Sequence, residues 1–315
     1  MPRTRLAPSP TGALHLGNVR TFLVNWAMAR QGGWEVVLRI EDLDGPRIKE
    51  QAARGVIDTL AWLGIDWDDG PHYQTADLAP YHAALDRLAK RGEIYPCRCS
   101  RSQIAEDAAS APHGDQHELR YTGRCRPASP APLDGWSPAD GAAWRLRVPE
   151  GKQHFVDQFC GPQSLSTDQT VGDFLVSTKA GTPSYQLAVV VDDARQGVDQ
   201  IVRGDDLLTS TPRQELLYER LELGPPPTWT HLPLVVGPDG RRLAKRHGDT
   251  RVDSYRQEGV RPERVVGLIA SWSGLAMREE LSVAEFAAAF DLARLPRDRV
   301  TFTAEDDAWL LEQSS

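Results

Sequence analysis

Residues 3–40 constrain the fold more tightly than any other stretch. Arg3 to Ala7 has the character of a short strand, which Pro8-Ser9-Pro10-Thr11-Gly12 breaks. From Leu16 the pattern turns helical, with Val19, Phe22, Leu23, Trp26 and Ala27 on one face. Gly32-Gly33 ends that helix, and Trp34 to Ile40 reads as a second buried strand. Strand, helix and strand in this order form a βαβ unit, the seed of a parallel sheet.

Helical patterns follow at about 47–63 and 77–91. Residues 96–165 are rich in Pro, Gly, Ser and Asp and hold all four cysteines, three of them clustered at 97–125, with a strand-like piece at Ala143 to Val148. Strand signals return at Tyr185 to Val191 and at Gln200 to Val202, and a helix is predicted after Thr211-Pro212. A polar loop, Gly237 to Thr250, follows Leu234-Val235-Val236, and the tail at about 253–312 reads as short helices. The fold class is α/β, interrupted by an insertion and followed by a helical appendix.

The 315 residues are 40% hydrophobic and 25% charged, ample for a globular core. No apolar run approaches the roughly 18 residues of a membrane span, and the amino terminus lacks the apolar core of a secretory signal. Four cysteines are too few for a disulfide scaffold of this length, which points to a reducing cytoplasm. A formal charge of −8 argues against nucleic-acid binding through bulk charge, but not against a local basic patch.

Two segments carry phosphate chemistry. In the first, His15-Leu16-Gly17-Asn18 lies at the junction of strand and helix. Unpaired N–H groups at a helix start favour an anion there, His15 can donate to phosphate oxygens, and Gly17 permits close backbone approach. The second is the basic loop Gly240-Arg241-Arg242-Leu243-Ala244-Lys245-Arg246-His247-Gly248. Lys245, one of five lysines in the chain, suits a phosphate oxygen as a compact point charge. Alone, either segment is more simply a capped turn or a solvated charged loop.

Together the two segments resemble the HIGH and KMSKS pair of class I aminoacyl-tRNA synthetases. The stretch Arg5 to Gly12 is similar to the start of the glutamyl branch, and further matches run in order through Leu38–Asp44, Tyr185–Asp193, Val202–Leu208 and Thr211–Gln214. Asn18 stands where the general pattern has a second histidine, and Arg242, Ala244 and Arg246 depart from KMSKS. The resemblance implies a Rossmann-like parallel-sheet catalytic domain. Its first half would span 1–95, an insertion with a zinc site 96–165, and the second half 166–236. The KMSKS-like loop and a helical stem-contact-like segment would span 237–315.

The same resemblance implies ATP with Mg²⁺ as cofactors, with His15, Gly17, Asn18 and Lys245 at the nucleotide, and His15 and Lys245 as the catalytic pair. It also implies a glutamate pocket. Arg5 and Arg203 are the carboxylate forks, able to bind bidentately, Glu41 would hold the ammonium and Tyr185 would wall the pocket. Ala7 and Ser9 contribute through backbone or hydroxyl. The attacking carboxylate is already ionised, so adenylate formation needs positioning and charge stabilisation rather than a general base.

Cys97, Cys99 and Cys125 fall within 29 residues, and reduced thiols in a small polar insertion point to one structural Zn²⁺. The fourth ligand is open among His113, His117, Tyr121 and Cys160; chemistry alone favours a histidine, and Cys160 reads as core. The spacing C-x-C…Y-x-x-x-C resembles the zinc site of glutamyl-queuosine synthetases, which places Tyr121 fourth. The length of the chain points the same way, since a full glutamyl-tRNA synthetase continues into anticodon-binding domains. The expected acceptor is therefore queuosine in tRNA(Asp), approached across Arg241, Arg242, Lys245, Arg246 and Arg251. The alternatives are a shortened synthetase charging tRNA(Glu), a small-molecule nucleotidyltransferase, and a catalytically dead RNA-binding relative.

Overall fold

The computed structural model describes residues 1–10, 12–43, 50–109, 119–138, 141–241, 243, 250–276 and 278–312. Strand β1 (Arg3–Leu6), helix α1 (Leu16–Gly32) and strand β2 (Glu35–Ile40) form the expected unit, with β1 and β2 parallel from Arg3↔Glu35 to Leu6↔Leu38. His15 caps α1 and Gly33 closes it in the left-handed region at φ 64. Helix α2 (Glu50–Leu63) leads to β3 (Asp69–Tyr73), parallel to β2.

Helix α3 (Ala79–Lys90) precedes β4 (Ile94–Cys97) and α4 (Arg101–Ala109). Strand β5 (Ala143–Leu146) pairs antiparallel with β4 and with β8 (Phe174–Ser177). Between them lie the hairpin β6 (Gln153–Asp157) and β7 (Gly161–Leu165) and the short α5 (Thr167–Thr170).

The next segment differs from its sequence pattern. Tyr185 to Val191 is not a strand but the start of α6 (Tyr185–Arg195). Every residue from Leu187 to Asp193 is buried, so the helix shows no polar face and its three consecutive valines mimic a buried strand. Ser184 supplies the helix signal, accepting from the Leu187 N–H.

Strand β9 (Gln200–Gly204) lies beside β1, tied by the Asp199 N–H donating to Arg3 O. Helix α7 (Thr211–Leu221) returns to β10 (Thr228–Leu232), parallel to β9 and joined on its other side to β6. The tail carries α8 (Val252–Gln257), α9 (Pro262–Trp272), α10 (Val283–Ala289) and α11 (Ala304–Leu311). It also carries a strand that the sequence did not betray: β12 (Val300–Thr301) pairs parallel with β11 (Val235–Val236). One core joins α1, β1 and β2 to α9 and α10, and a second lies among α3, α6, α7, β5 and β8. Among the described residues no helix is long and apolar enough to cross a membrane.

Candidate active site and metal centre

The start of α1 is a reciprocal cap. The Asn18 N–H donates to His15 Nδ1 at 3.2 Å, and the His15 N–H donates to Asn18 Oδ1 at 3.4 Å. Nδ1 therefore accepts, and the hydrogen-bond pattern assigns the imidazole proton to Nε2. A methyl group at Gly17 would stand 3.2 Å from the His15 ring and 3.4 Å from Val235, so the glycine first serves the packing of the ring. The backbone N–H at position 18 holds the His15 ring, while the Asn18 side chain, the departure from the HIGH pattern, accepts from the His15 backbone and completes the cap.

Lys245 lies outside the described residues, as do Arg242 and Arg246. The flanks of their loop are described. The Leu16 N–H donates to Thr250 O at 3.0 Å and the Val252 N–H to Leu14 O at 2.9 Å, so His15 and Arg251 face each other across a bridge. Leu243 on the other flank is buried in the core that contains α1. One end of the basic loop is thus fastened to the segment that presents His15, and the other is anchored in the core beneath it. Arg241 and Arg251 are exposed.

The glutamate-pocket candidates at the sheet centre come together. Arg5 on β1 is 5% exposed, and its Nε stands 3.4 Å from Asp193 Oδ1 without a hydrogen bond. Arg39 donates to the same Asp193 oxygen at 2.8 Å and to Glu41 Oε1 at 3.2 Å. Burial pushes the Glu41 carboxyl above its ordinary range, against the pull of Arg39 and Arg5. Tyr185 is 40% exposed, yet surrounding protein dehydrates its phenol and raises its pKa, and it interacts electrostatically with Glu41, Arg203 and Arg5. A side chain both accessible and dehydrated lines a concavity. Ala7 is half-buried and Ser9 exposed; the Glu41 N–H donates to Pro8 O between them, which brings this segment to Glu41.

Arg203 differs from its expected role as a second two-pronged fork. Its Nε donates to His231 Nε2 at 2.9 Å, Nη1 to Gln214 Oε1 at 2.7 Å, and Nη2 to both Leu207 O and Thr211 Oγ1. Four of the five guanidinium N–H groups are engaged, leaving one on Nη1 for a ligand. Burial lowers its pKa to about 10, still charged at neutral pH. His231, Gln214 and Thr211 were not singled out as site residues. A lone histidine on a strand reads as core, although Thr211 and Gln214 belong to a matched motif.

In the second cluster, the sulfurs of Cys97, Cys99 and Cys125 lie within 4.8 Å of one another. The Tyr121 hydroxyl is 3.5 Å from Cys97 Sγ and 4.0 Å from Cys99 Sγ. Tetrahedral zinc with Zn–S of about 2.3 Å and Zn–O of about 2.0 Å separates its ligands by roughly 3.5–3.8 Å. The three sulfurs therefore fit a metal ion. Despite burial, hydrogen bonds from the Arg98 backbone, Tyr121 and Cys99 draw the Cys125 thiol down to about 7. Cys160 stands apart, half-buried, with Sγ 3.5 Å from His231 O. His113 and His117 lie outside the described residues.

A relative from Symbiobacterium thermophilum named glutamyl-Q tRNA(Asp) synthetase is 46% identical over 97% of this chain and 97% of its own. One of the same name from Rhodopirellula baltica is 44% identical over 89% and 88%. Relatives named glutamate–tRNA ligase are 35–38% identical, and the chain spans 64–66% of their length. The crystal structure of glutamate-tRNA synthetase from Elizabethkingia anophelis superposes with a TM-score of 0.80 at 26% identity, covering 98% of this chain and 69% of that one. The family model for the catalytic domain of class I tRNA synthetases (E and Q) matches residues 2–307, and the chain belongs to that family.

Proposed function

We propose that this protein activates L-glutamate with ATP and transfers the glutamyl group to queuosine in tRNA(Asp). The observation that carries the reading is the buried Arg5, whose Nε lacks a hydrogen-bond partner, beside the buried Glu41: a fork for a carboxylate next to a carboxylate for an ammonium. Full-length similarity to relatives named for that reaction favours queuosine over the tRNA(Glu) terminus.

In this reading Arg5 holds the side-chain carboxylate, Glu41 the ammonium, and Tyr185 closes the wall. Arg203 adds charge and a single N–H. Ala7 and Ser9 border the ammonium end. An oxygen of the α-carboxylate attacks the α-phosphorus of ATP, and the bond to pyrophosphate breaks. His15 donates from Nε2, while Lys245 takes up charge developing on the phosphate oxygens. Mg²⁺, entering with ATP, supplies further charge neutralisation. Zinc, one ion per chain, would be held by Cys97, Cys99, Cys125 and the Tyr121 oxygen, in a structural role.

Labelled glutamate should enter queuosine-containing tRNA(Asp) and leave queuosine-free tRNA(Asp) unlabelled. Pyrophosphate exchange should require glutamate but no tRNA. Incorporation into tRNA(Glu) instead would establish the glutamate–tRNA ligase reading. Lys245→Ala should slow adenylate formation by about 10²-fold with little change in glutamate KM, because the ammonium acts on the transition state. Unaltered turnover would remove Lys245 from the mechanism.

A further inference from the structure

We propose that His231, set in one tautomer by Asp157, is a positioning residue for Arg203 in the glutamate pocket. The inference rests on the reading of Arg203 as a glutamate-binding residue.

Three neighbouring strands put these groups in a row. His231 on β10 is the register partner of Arg203 on β9, and its neighbour Trp229 is the register partner of Asp157 on β6. Asp157 and His231 are fully buried and Arg203 is 4% exposed. Arginine can only donate, so His231 Nε2 must accept from Arg203 Nε. The ring proton then sits on Nδ1, which donates to Asp157 Oδ2 at 2.6 Å. Burial disfavours a charged His231, so a neutral imidazole stands between a buried anion and a buried cation.

The second oxygen of Asp157 locks this direction. Oδ1 accepts the N–H groups of Phe159 at 3.0 Å and Cys160 at 2.7 Å, and the His231 N–H is shared between Oδ2 at 3.1 Å and Oδ1 at 3.3 Å, so the larger number of donors converges on Oδ1. These donors keep an oxygen at that position in any side chain of the same shape. The consequence reaches Arg203. With four N–H groups engaged, it offers glutamate a single Nη1 N–H, and the direction of that N–H follows from where Nε is held. Trp229 stacks 4.9 Å from the guanidinium and prevents it from tilting to find another acceptor.

Asp157→Asn is the informative variant. Its amide oxygen must take the Oδ1 position, which puts the NH₂ group against His231 Nδ1. The imidazole proton is then forced to Nε2, where it opposes the Arg203 Nε–H donor to donor. His231→Gln keeps an acceptor near the Nε2 position, whereas His231→Asn keeps only the donor toward Asp157.

Glutamate-dependent pyrophosphate exchange, read as KM for glutamate and for ATP, with melting temperature and imidazole ¹⁵N shifts, tests the assignment. Asp157→Asn and His231→Asn should raise glutamate KM by about ten- to a hundredfold, the worth of a hydrogen bond to a charged group. ATP KM should stay within about twofold. His231→Gln should remain near wild type and restore much of the loss in the Asp157→Asn background, where the single variant shows the altered tautomer. Equal glutamate KM for His231→Asn and His231→Gln, or an unaltered KM in Asp157→Asn with a switched tautomer, would overturn the proposal. Wild-type protein without glutamate-dependent exchange would instead overturn the reading of the pocket itself.

Discussion

Arg5→Ala is expected to lower kcat/KM for glutamate activation by about 10³-fold, the scale of truncating one partner of a buried charged contact. Arg5 is almost wholly buried, its Nε meets Asp193 at 3.4 Å without forming a hydrogen bond, and among the described residues its one hydrogen bond is a long one of 3.4 Å from Nη1 to Val202 O. Buried donors left unmatched are costly, and a bound carboxylate relieves that cost only when it carries charge and two oxygens. The same residue should therefore set discrimination against glutamine, whose amide puts a donor where an acceptor is needed. Arg5→Lys should not rescue, because a point charge cannot reproduce the planar fork. The fold should survive the change, since Asp193 keeps Arg39 at 2.8 Å. Pyrophosphate exchange with glutamate and glutamine measures both effects. A change below threefold, or undiminished rejection of glutamine, would assign the side-chain carboxylate to another residue.

Local and sequential signals were the legible ones. The first βαβ unit declares itself through a proline-glycine break and a glycine stop that bracket a long helix, all within 40 residues, although α1 is buried from Leu23 to Ala27 without a break rather than on one face. The cysteines were legible because Cys97 and Cys99 share one strand end and Cys125 returns to them. Helix α6 was misread because burial on every side erased the polar face that identifies a helix. The row Asp157, His231, Arg203 was invisible for another reason. Its members are 74 and 28 residues apart, and only the order of β6, β10 and β9 makes them neighbours. Arg203 was found through motif resemblance, which names the residue and is silent on how many of its donors the protein already uses. Asn18 departs from the HIGH pattern, yet its side chain closes the cap on the His15 backbone while its own backbone N–H holds the imidazole.

Removing the metal should unfold one region and spare the other. Among the described residues, the apolar cluster around the cysteines consists of Tyr95, Cys97 and Tyr121, with Cys99, Ile104 and Cys125 packed against it. That is too little burial to order a loop-rich segment without a cross-link. Arg145 stands over the Tyr121 ring at 3.8 Å and donates from Nε to Cys97 Sγ at 3.4 Å. Three thiolates on a divalent ion carry one net negative charge, which this buried guanidinium balances; without the ion that balance is lost in a dry setting. Cys99→Ser or a strong chelator should therefore take the protein from about one zinc per chain to near none. The melting temperature should fall by about 10 °C, as expected for loss of a structural metal, and protease sites should open near residues 98–126. The glutamate pocket is built from β1, β2, β9 and α6, none of which supplies a cysteine of this cluster, so glutamate-dependent pyrophosphate exchange should persist at temperatures below that transition. Tyr121→Phe separates the ligand from the scaffold: it removes the oxygen near the sulfurs and the acceptor of the Cys125 N–H, while leaving the ring beneath Arg145. Weakened zinc retention in that variant would make Tyr121 the fourth ligand. Metal-free protein with an unchanged melting curve would reduce the whole cluster to packing.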